Sequence, residues 1–157
     1  MGSKRIYSIS SFVCLFIVCA FALNGAALTE KEKQQGFEVL FDGSDLDKWT
    51  IIGNKEAFGI EQNAITCYGK GGDRIQTHKT YEDFILRFEY KISKNGNNGL
   101  YIHCPDHGRE SRVGGEIQIK DDYNKPVKDD TCGSLYDVFP PMENACKPHT
   151  EWQTMEV

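Results

Sequence analysis

The stretch GGEIQIKDD, residues 114–122, holds the side chains best suited to chemistry in this 157-residue chain. Its alternation of polar and apolar residues predicts a β-strand in which Glu116 and Gln118 point to one face while Ile117 and Ile119 point into a core. A carboxylate on such a face can serve as a general base or as a metal ligand. The same pattern is also typical of the solvent side of an ordinary sheet, and the residues alone leave both interpretations open.

Asp121 can share a face with Glu116 and Gln118 only if the strand contains a β-bulge. In a regular strand Asp121 would point to the opposite side, whereas one extra residue turns it back toward the other two. The bulged strand would resemble the E-x-D-x-x-E strand of retaining glycosidases. Glu116 would then be the nucleophile and Asp121 the acid. Against that interpretation, Gln118 stands where the central carboxylate is expected.

The elements around this stretch are predicted to be short strands separated by turns. The clearest is DFILRFEYKI, residues 83–92, whose alternate apolar side chains predict a strand packed on a core with Arg87 on its polar side. Further strands are predicted in FEVLF, FGIEQNAITCYG, LYIHC, EIQIK, SLYDVF and WQTMEV. No helical period of useful length occurs after residue 36. An all-β fold, a jelly-roll β-sandwich, is therefore predicted.

The first 27 residues are predicted to be a secretory signal peptide. Lys4 and Arg5 precede the apolar run FVCLFIVCAFAL, and small residues at Gly25 and Ala27 favour cleavage after Ala27. The apolar run is shorter than the ~20 residues that a membrane helix needs, so stable membrane insertion is not expected. A secreted or periplasmic protein is predicted.

The rest of the chain divides into a linker, residues 28–35, and one domain, residues 36–157. Thr29 and Glu32 in the linker have the spacing of a helix capping box. Removal of the leader takes away two basic residues and no acid, so the net charge changes from −5 to −7. Because no basic stripe is present either, nucleic acid is not an expected partner.

Four cysteines remain after the predicted cleavage: Cys67, Cys104, Cys132 and Cys146. A zinc site is disfavoured because the chain has no C-x-x-C pair. An exported protein meets an oxidising compartment, so at least one disulfide is predicted. Four cysteines allow three pairings, and the sequence does not choose among them.

Six segments of the chain, taken in order, resemble the 3-keto-disaccharide hydrolase family, also described as 3-keto-glycoside lyases and hydratases. The segments are GFEVLFDGSDLDKW, YEDFILRFEYKI, GNNGLYI, GGEIQIKDD, GSLYDVFPP and EWQTMEV. The resemblance runs from about Gly36 to the end of the chain and implies a concanavalin A-like jelly roll. Members of the family are longer, and EWQTMEV stops at Val157 without a turn. A domain truncated at its C-terminus is therefore predicted.

The resemblance implies an exported enzyme that cleaves 3-keto-glycosides or 3-keto-disaccharides. The 3-keto group acidifies the C2–H bond, so proton abstraction, elimination of the leaving group and hydration amount to net hydrolysis. In such a reaction Glu116 is the candidate base and Asp121 the acid or a metal ligand. Gln118 would bind a sugar hydroxyl or the ketone oxygen, and Arg87 would stabilise the developing negative charge.

Three more side chains are candidates for the same site. His103 is a further catalytic candidate. A divalent metal, if the reaction uses one, would take His103, Glu116 and Asp121 as ligands, although no sequential ligand motif is present. Tyr136 and Trp152 are candidates for stacking on a sugar ring. A non-catalytic carbohydrate-binding module is an alternative to an enzyme, because the same fold serves lectins.

Overall fold

The computed structural model describes residues 13–15, 27–69, 74–104 and 114–157. Residues 13–15 are described by their backbone alone. The elements in chain order are β1 (Val13–Leu15), α1 (Glu30–Gln34), β2 (Trp49–Ile52), a 3-10 turn (Lys55–Ala57), β3 (Phe58–Glu61), β4 (Ala64–Cys67), β5 (Arg74–Thr77), β6 (Arg87–Tyr90), β7 (Asn97–Ile102), β8 (Gly115–Lys120) and β9 (Gln153–Glu156). The all-β prediction is confirmed. Within the described ranges no helix has the length and apolar character needed to cross a bilayer.

The strands form one large sheet and two pairs. The large sheet has the order β2-β5-β1-β7-β8, and every pairing within it is antiparallel. β3 pairs with β4, and β6 pairs with β9, also antiparallel. This arrangement is a sandwich because side chains from the large sheet and from both pairs meet in one core.

The core is built from alternate residues of the strands, as the period-two pattern predicts. The large sheet contributes Trp49, Ile75, Leu100 and Ile119, and the two strand pairs contribute Phe58, Ile65, Phe88 and Tyr90. All of these side chains are buried. The opposite face of the large sheet therefore points away from the core, and it carries the polar residues of β5, β7 and β8.

Some predicted strands are shorter than expected or absent. The strand predicted over residues 83–92 is regular only over β6. Leu86 and Ile92 on either side of it are nevertheless buried in the core and form backbone hydrogen bonds, Leu86 with Val157 and Ile92 with Thr150. SLYDVF forms only isolated bridges, at Leu135 and Phe139. The strand predicted in FEVLF is wrong, because residues 37–41 belong to no strand.

The predicted linker contains a short capped helix. Thr29 and Glu32 form a complete capping box at the start of α1, and the Glu32 carboxylate accepts a hydrogen bond from the Thr29 backbone N–H at 2.9 Å. The helix is held against the domain rather than apart from it, because Glu32 is buried and its Oε1 lies 3.8 Å from Arg87 of β6.

Three residues of the predicted leader take part in the large sheet. The backbone of β1 lies between β5 and β7 and pairs with both. This differs from the expectation that residues 1–27 lie outside the fold. An apolar, extended segment can pair there because β5 and β7 each present a strand edge. The rest of the leader up to residue 26, with the small residue Gly25, lies outside the described residues, and cleavage after Ala27 stays a prediction.

Candidate active site on the polar sheet face

The polar face of the large sheet gathers residues of β7 and β8 around Glu116. The register pairs Glu116 with Tyr101 and Gln118 with Gly99. Residues paired across antiparallel strands share a face, so all four lie on the side opposite the core residue Ile119. The predicted outward orientation of Glu116 and Gln118 is therefore confirmed by the strand register.

A further segment, residues 133–136, runs along the free edge of β8. Its backbone forms three hydrogen bonds with that strand: Gly133 N–H to Gln118 O at 2.8 Å, Gln118 N–H to Ser134 O at 3.0 Å, and Tyr136 N–H to Glu116 O at 2.8 Å. Tyr136 is thus placed opposite Glu116 and is 41% exposed. Glu116 consequently has a tyrosine on each neighbouring segment, Tyr101 on one side and Tyr136 on the other.

The Glu116 carboxyl is partly buried, and its acidity is changed as a result. Burial raises its pKa above the ordinary carboxyl value, and a hydrogen bond with the Tyr101 side chain opposes that rise without cancelling it. A carboxylate with a raised pKa is a stronger base than an exposed one. This is the environment that a general base requires.

The Glu116 side chain lies directly over Gly99 of the neighbouring strand. A Cβ atom added at Gly99 would stand 2.8 Å from both Cγ and Cδ of Glu116, which is closer than real Cβ contacts. The absence of a side chain at Gly99 therefore permits the position that the carboxyl group occupies. Gly99 was not singled out from the sequence, because its neighbour across the sheet depends on strand register.

Gln118 is less accessible than Glu116. Its side chain is 2% exposed, and its Oε1 atom has no hydrogen-bond partner among the described residues. Ser134, which lies opposite, is completely buried, and its Oγ atom is likewise without a partner in the described part of the chain. Gln118 is therefore a buried polar neighbour of Glu116, and its side chain is not accessible to a sugar in this structure.

The same polar face continues across the sheet to β5. Gln76 shares the face of Tyr101 through the register of β1, and Arg74 alternates with the core residue Ile75. Arg74 Nε donates a hydrogen bond to Gln76 Oε1 at 3.1 Å. Three strand spacings, roughly 14 Å, separate β5 from β8. Neither Arg74 nor Gln76 was predicted from the sequence as part of a site, although the alternation of polar and apolar residues in RIQT indicates that both lie on one polar face.

Asp121 is not brought to Glu116. The predicted bulge is wrong, because β7 and β8 pair without interruption from Gly115 to Lys120. Asp121 Oδ2 instead accepts the Asn95 N–H at 2.8 Å and lies 3.7 Å from His149 Nδ1. Five residues of extended chain place Asp121 roughly 16 Å from Glu116. Its carboxylate caps the loop between β6 and β7.

The His103 ring packs against Phe84. The residue follows β7 in a left-handed conformation with φ of 52°, and its ring centroid lies 6.0 Å from that of Phe84. Within the described ranges no group of three or more His, Cys, Asp or Glu side chains could hold a metal ion. The predicted ligand set of His103, Glu116 and Asp121 is therefore not assembled in this structure.

Arg87 and Trp152 lie with the β6–β9 pair and not on the polar face. The Arg87 guanidinium forms an ion pair with Glu156 and lies 4.9 Å above the Phe37 ring, and its contact with Glu32 holds α1 against the domain. Trp152 precedes β9, and the ammonium group of Lys91 lies 4.8 Å from its ring centroid. Both residues were predicted to bind substrate, and in the structure both make packing or ionic contacts away from Glu116.

The fold and this face together define a class of protein: an all-β sandwich with a partly buried carboxylate between tyrosines on its open sheet face. The chain belongs to the family of 3-keto-alpha-glucoside-1,2-lyase-like domains, whose model matches residues 36–157. The family resemblance seen in the sequence is confirmed.

Two known proteins extend the comparison. A 3-keto-disaccharide hydrolase of Bacteroides thetaiotaomicron is 27% identical, over 78% of this chain and 52% of the relative. The chain thus spans about half the length of that curated relative. A crystal structure of a protein provisionally named a glycosyl hydrolase, from Parabacteroides distasonis, superposes with a TM-score of 0.71 at 28% identity, covering 85% of this chain and 68% of that one.

Proposed function

We propose that the full-length protein cleaves 3-keto-glycosides and that Glu116 is the base that removes the C2 proton. The placement of Glu116 carries this proposal: its carboxyl is half-buried on an open sheet face, its pKa is raised by burial, and Tyr101 hydrogen-bonds to it. Membership in the 3-keto-alpha-glucoside-1,2-lyase-like family and the name of the Bacteroides relative support the substrate class.

The reaction proceeds by elimination followed by hydration. Glu116 takes the proton from C2, and the electron pair of that bond passes to C2–C3 and the ketone oxygen to give an enolate. Return of these electrons forms the C1–C2 double bond and breaks the C1–O bond to the leaving group. Addition of water across C1–C2 then completes a net hydrolysis. Hydrogen-bond donors beside the enolate oxygen lower the barrier.

The tyrosines replace Arg87 in this proposal as the groups that meet the substrate. The Tyr101 hydroxyl is next to the carboxyl and can donate a hydrogen bond to the ketone oxygen as negative charge develops there. Tyr136 is exposed beside Glu116 and offers its ring to a sugar. No step of this scheme needs Asp121, which the structure places at the other end of β8.

A retaining glycosidase is the weaker alternative. Its two carboxyl groups would have to be about 5–5.5 Å apart, whereas Asp121 lies roughly 16 Å along the chain from Glu116. The other alternative is a carbohydrate-binding module. The exposed ring of Tyr136 supports it, since an aromatic platform suffices for binding.

Product analysis with matched disaccharides distinguishes these functions. The full-length protein is expected to release sugar from a 3-keto-disaccharide and to leave the corresponding ordinary disaccharide intact. Cleavage of both compounds at similar rates would favour a conventional glycosidase. Binding of either compound without product would favour a binding module and would contradict the proposal.

Export is the second part of the proposed function. The positive start at Lys4 and Arg5, the apolar run and the small residues Gly25 and Ala27 support a cleaved leader and a secreted or periplasmic location. N-terminal sequencing of protein from its native host is expected to begin near Leu28. An N-terminus at Met1 in the mature protein would contradict this part.

A further inference from the structure

Two of the four cysteines meet at a cleft between the segment after β8 and the β6–β9 pair. Cys132 and Cys146 line this cleft of about 310 Å³ together with Tyr90 and Gln153. The side chains of the two cysteines share a hydrogen bond, and Cys132 Sγ also lies 3.1 Å from the Tyr90 hydroxyl. Cys132 is 5% exposed, whereas Cys146 is half-buried at the edge of the cleft.

The backbone fixes both cysteines in this position. Asp122 Oδ2 accepts the Cys132 N–H at 3.0 Å, and Asp122 O accepts the Asn144 side-chain N–H at 2.6 Å. Asn144 Oδ1 in turn accepts the Cys146 N–H at 3.0 Å. One buried carboxylate residue therefore connects the two cysteines through a chain of three hydrogen bonds, and their proximity does not depend on side-chain rotamers alone.

We propose that Cys132 and Cys146 are joined by a disulfide that locks the segment between them against β8. The four cysteines whose side chains the structure describes are free thiols, and the sequence left three pairings among them open. The geometry points to this one, because these two side chains line the same cleft and interact with each other. The closed loop contains segment 133–136, which carries Tyr136, so the bridge would fix the edge of the polar face.

The acidities of the two thiols favour disulfide exchange. The hydrogen bond from Cys146 lowers the pKa of Cys132 to about 7, against the opposing effect of burial. The same hydrogen bond, followed by burial, raises the pKa of Cys146. Cys132 is therefore the sulfur of the pair that forms a thiolate more readily, and the thiolate is the form that attacks a disulfide.

The oxidation is a thiol–disulfide exchange with an external disulfide, from a small thiol such as glutathione or from an oxidoreductase. One cysteine sulfur attacks the external disulfide, breaks its S–S bond and forms a mixed disulfide. The second cysteine sulfur then attacks the first and displaces the carrier. The two cysteines are oxidised, the carrier is reduced, and it leaves as two thiols that take up both protons.

Peptide mapping tests the pairing directly. The full chain is equilibrated with oxidised glutathione, its remaining thiols are alkylated, and it is digested without reductant for mass spectrometry. The expected result is one cross-linked peptide pair that contains Cys132 and Cys146, with Cys67 and Cys104 alkylated. Alkylation of both Cys132 and Cys146, or a bridge from either of them to any other cysteine of the chain, would overturn the proposal.

Thermal unfolding gives a second readout. A bridge that closes a loop of about 15 residues is expected to raise the Tm of the oxidised protein by roughly 6–12 °C over the reduced protein. Cys146→Ser should abolish this redox-dependent shift, and the matched variant Cys67→Ser should keep it. A shift that persists in Cys146→Ser would overturn the proposal. Neither readout uses a substrate, so the result is independent of the proposed enzymatic function.

Discussion

Glu116→Gln is expected to lower the turnover of a 3-keto-glycoside by about 10²–10⁴-fold, the usual contribution of a general base. The substitution keeps the size of the side chain and its contact with Tyr101 but removes the group that accepts the proton. Initial rates of product release at saturating substrate measure the effect. Glu82→Gln is the matched control, because Glu82 is exposed on the loop before β6, and its turnover should equal that of the wild type.

The pH dependence of stability tests whether the Glu116 carboxyl is buried in the folded protein. The pKa of Glu116 is raised in the folded state, so the folded protein holds this proton more tightly than the unfolded chain. The Glu116 contribution to stability is therefore fully present below the unfolded carboxyl pKa and is lost as pH rises through the folded pKa. Denaturant titrations should show Glu116→Gln gaining stability relative to the wild type over that pH range. A difference that does not change with pH would contradict the burial of this carboxyl.

Gly99→Ala is expected to reduce turnover by roughly 10²-fold, because a displacement of about 1 Å of a catalytic group can cost that much. The added Cβ would stand 2.8 Å from Cγ and Cδ of Glu116, so the carboxyl must move away from its position beside Tyr101. The loss should fall on kcat more than on KM, since the substrate-binding tyrosines are unchanged. Steady-state kinetics with a 3-keto-glycoside measure both constants.

Two controls separate this positioning effect from general damage to the sheet. Gly59→Ala introduces a Cβ only 2.7 Å from the Tyr68 hydroxyl, which is a similar crowding in β3, away from the polar face. Its turnover should stay near that of the wild type. Gly99→Ala added to Glu116→Gln should cause little further loss of activity. If Gly99→Ala lowers activity by the same factor in Glu116→Gln as in the wild type, its effect does not depend on Glu116.

The sequence predicted the elements better than it predicted their partners. Period-two alternation was enough to place β8 and to orient Glu116, because the pattern of one strand determines its two faces. Tyr101 and Gly99 escaped notice since their proximity to Glu116 depends on the register between β7 and β8. The prediction for Asp121 was wrong because it assumed a β-bulge in β8, where the pairing with β7 is regular.

The missing strand in FEVLF has a physical cause that no local pattern reveals. Leu40 and Phe41 are buried in the core. The backbone carbonyls there are instead satisfied by side chains: Trp49 Nε1 donates to Leu40 O at 2.9 Å, and Lys48 Nζ donates to Val39 O at 2.5 Å. Apolar spacing indicates burial, whereas a strand also requires a neighbouring backbone to pair with.

Exchange of the C2 proton into D₂O tests the central claim, that Glu116 removes this proton. A 3-keto-C-glycoside is the suitable substrate, because its C1 substituent cannot leave and proton transfer is observed without cleavage. NMR of the wild-type reaction is expected to show loss of the C2–H signal well above the rate without protein. Glu116→Gln should reduce the protein-dependent rate by about 10²–10⁴-fold. Exchange at the wild-type rate in Glu116→Gln would contradict the role of Glu116 as the base.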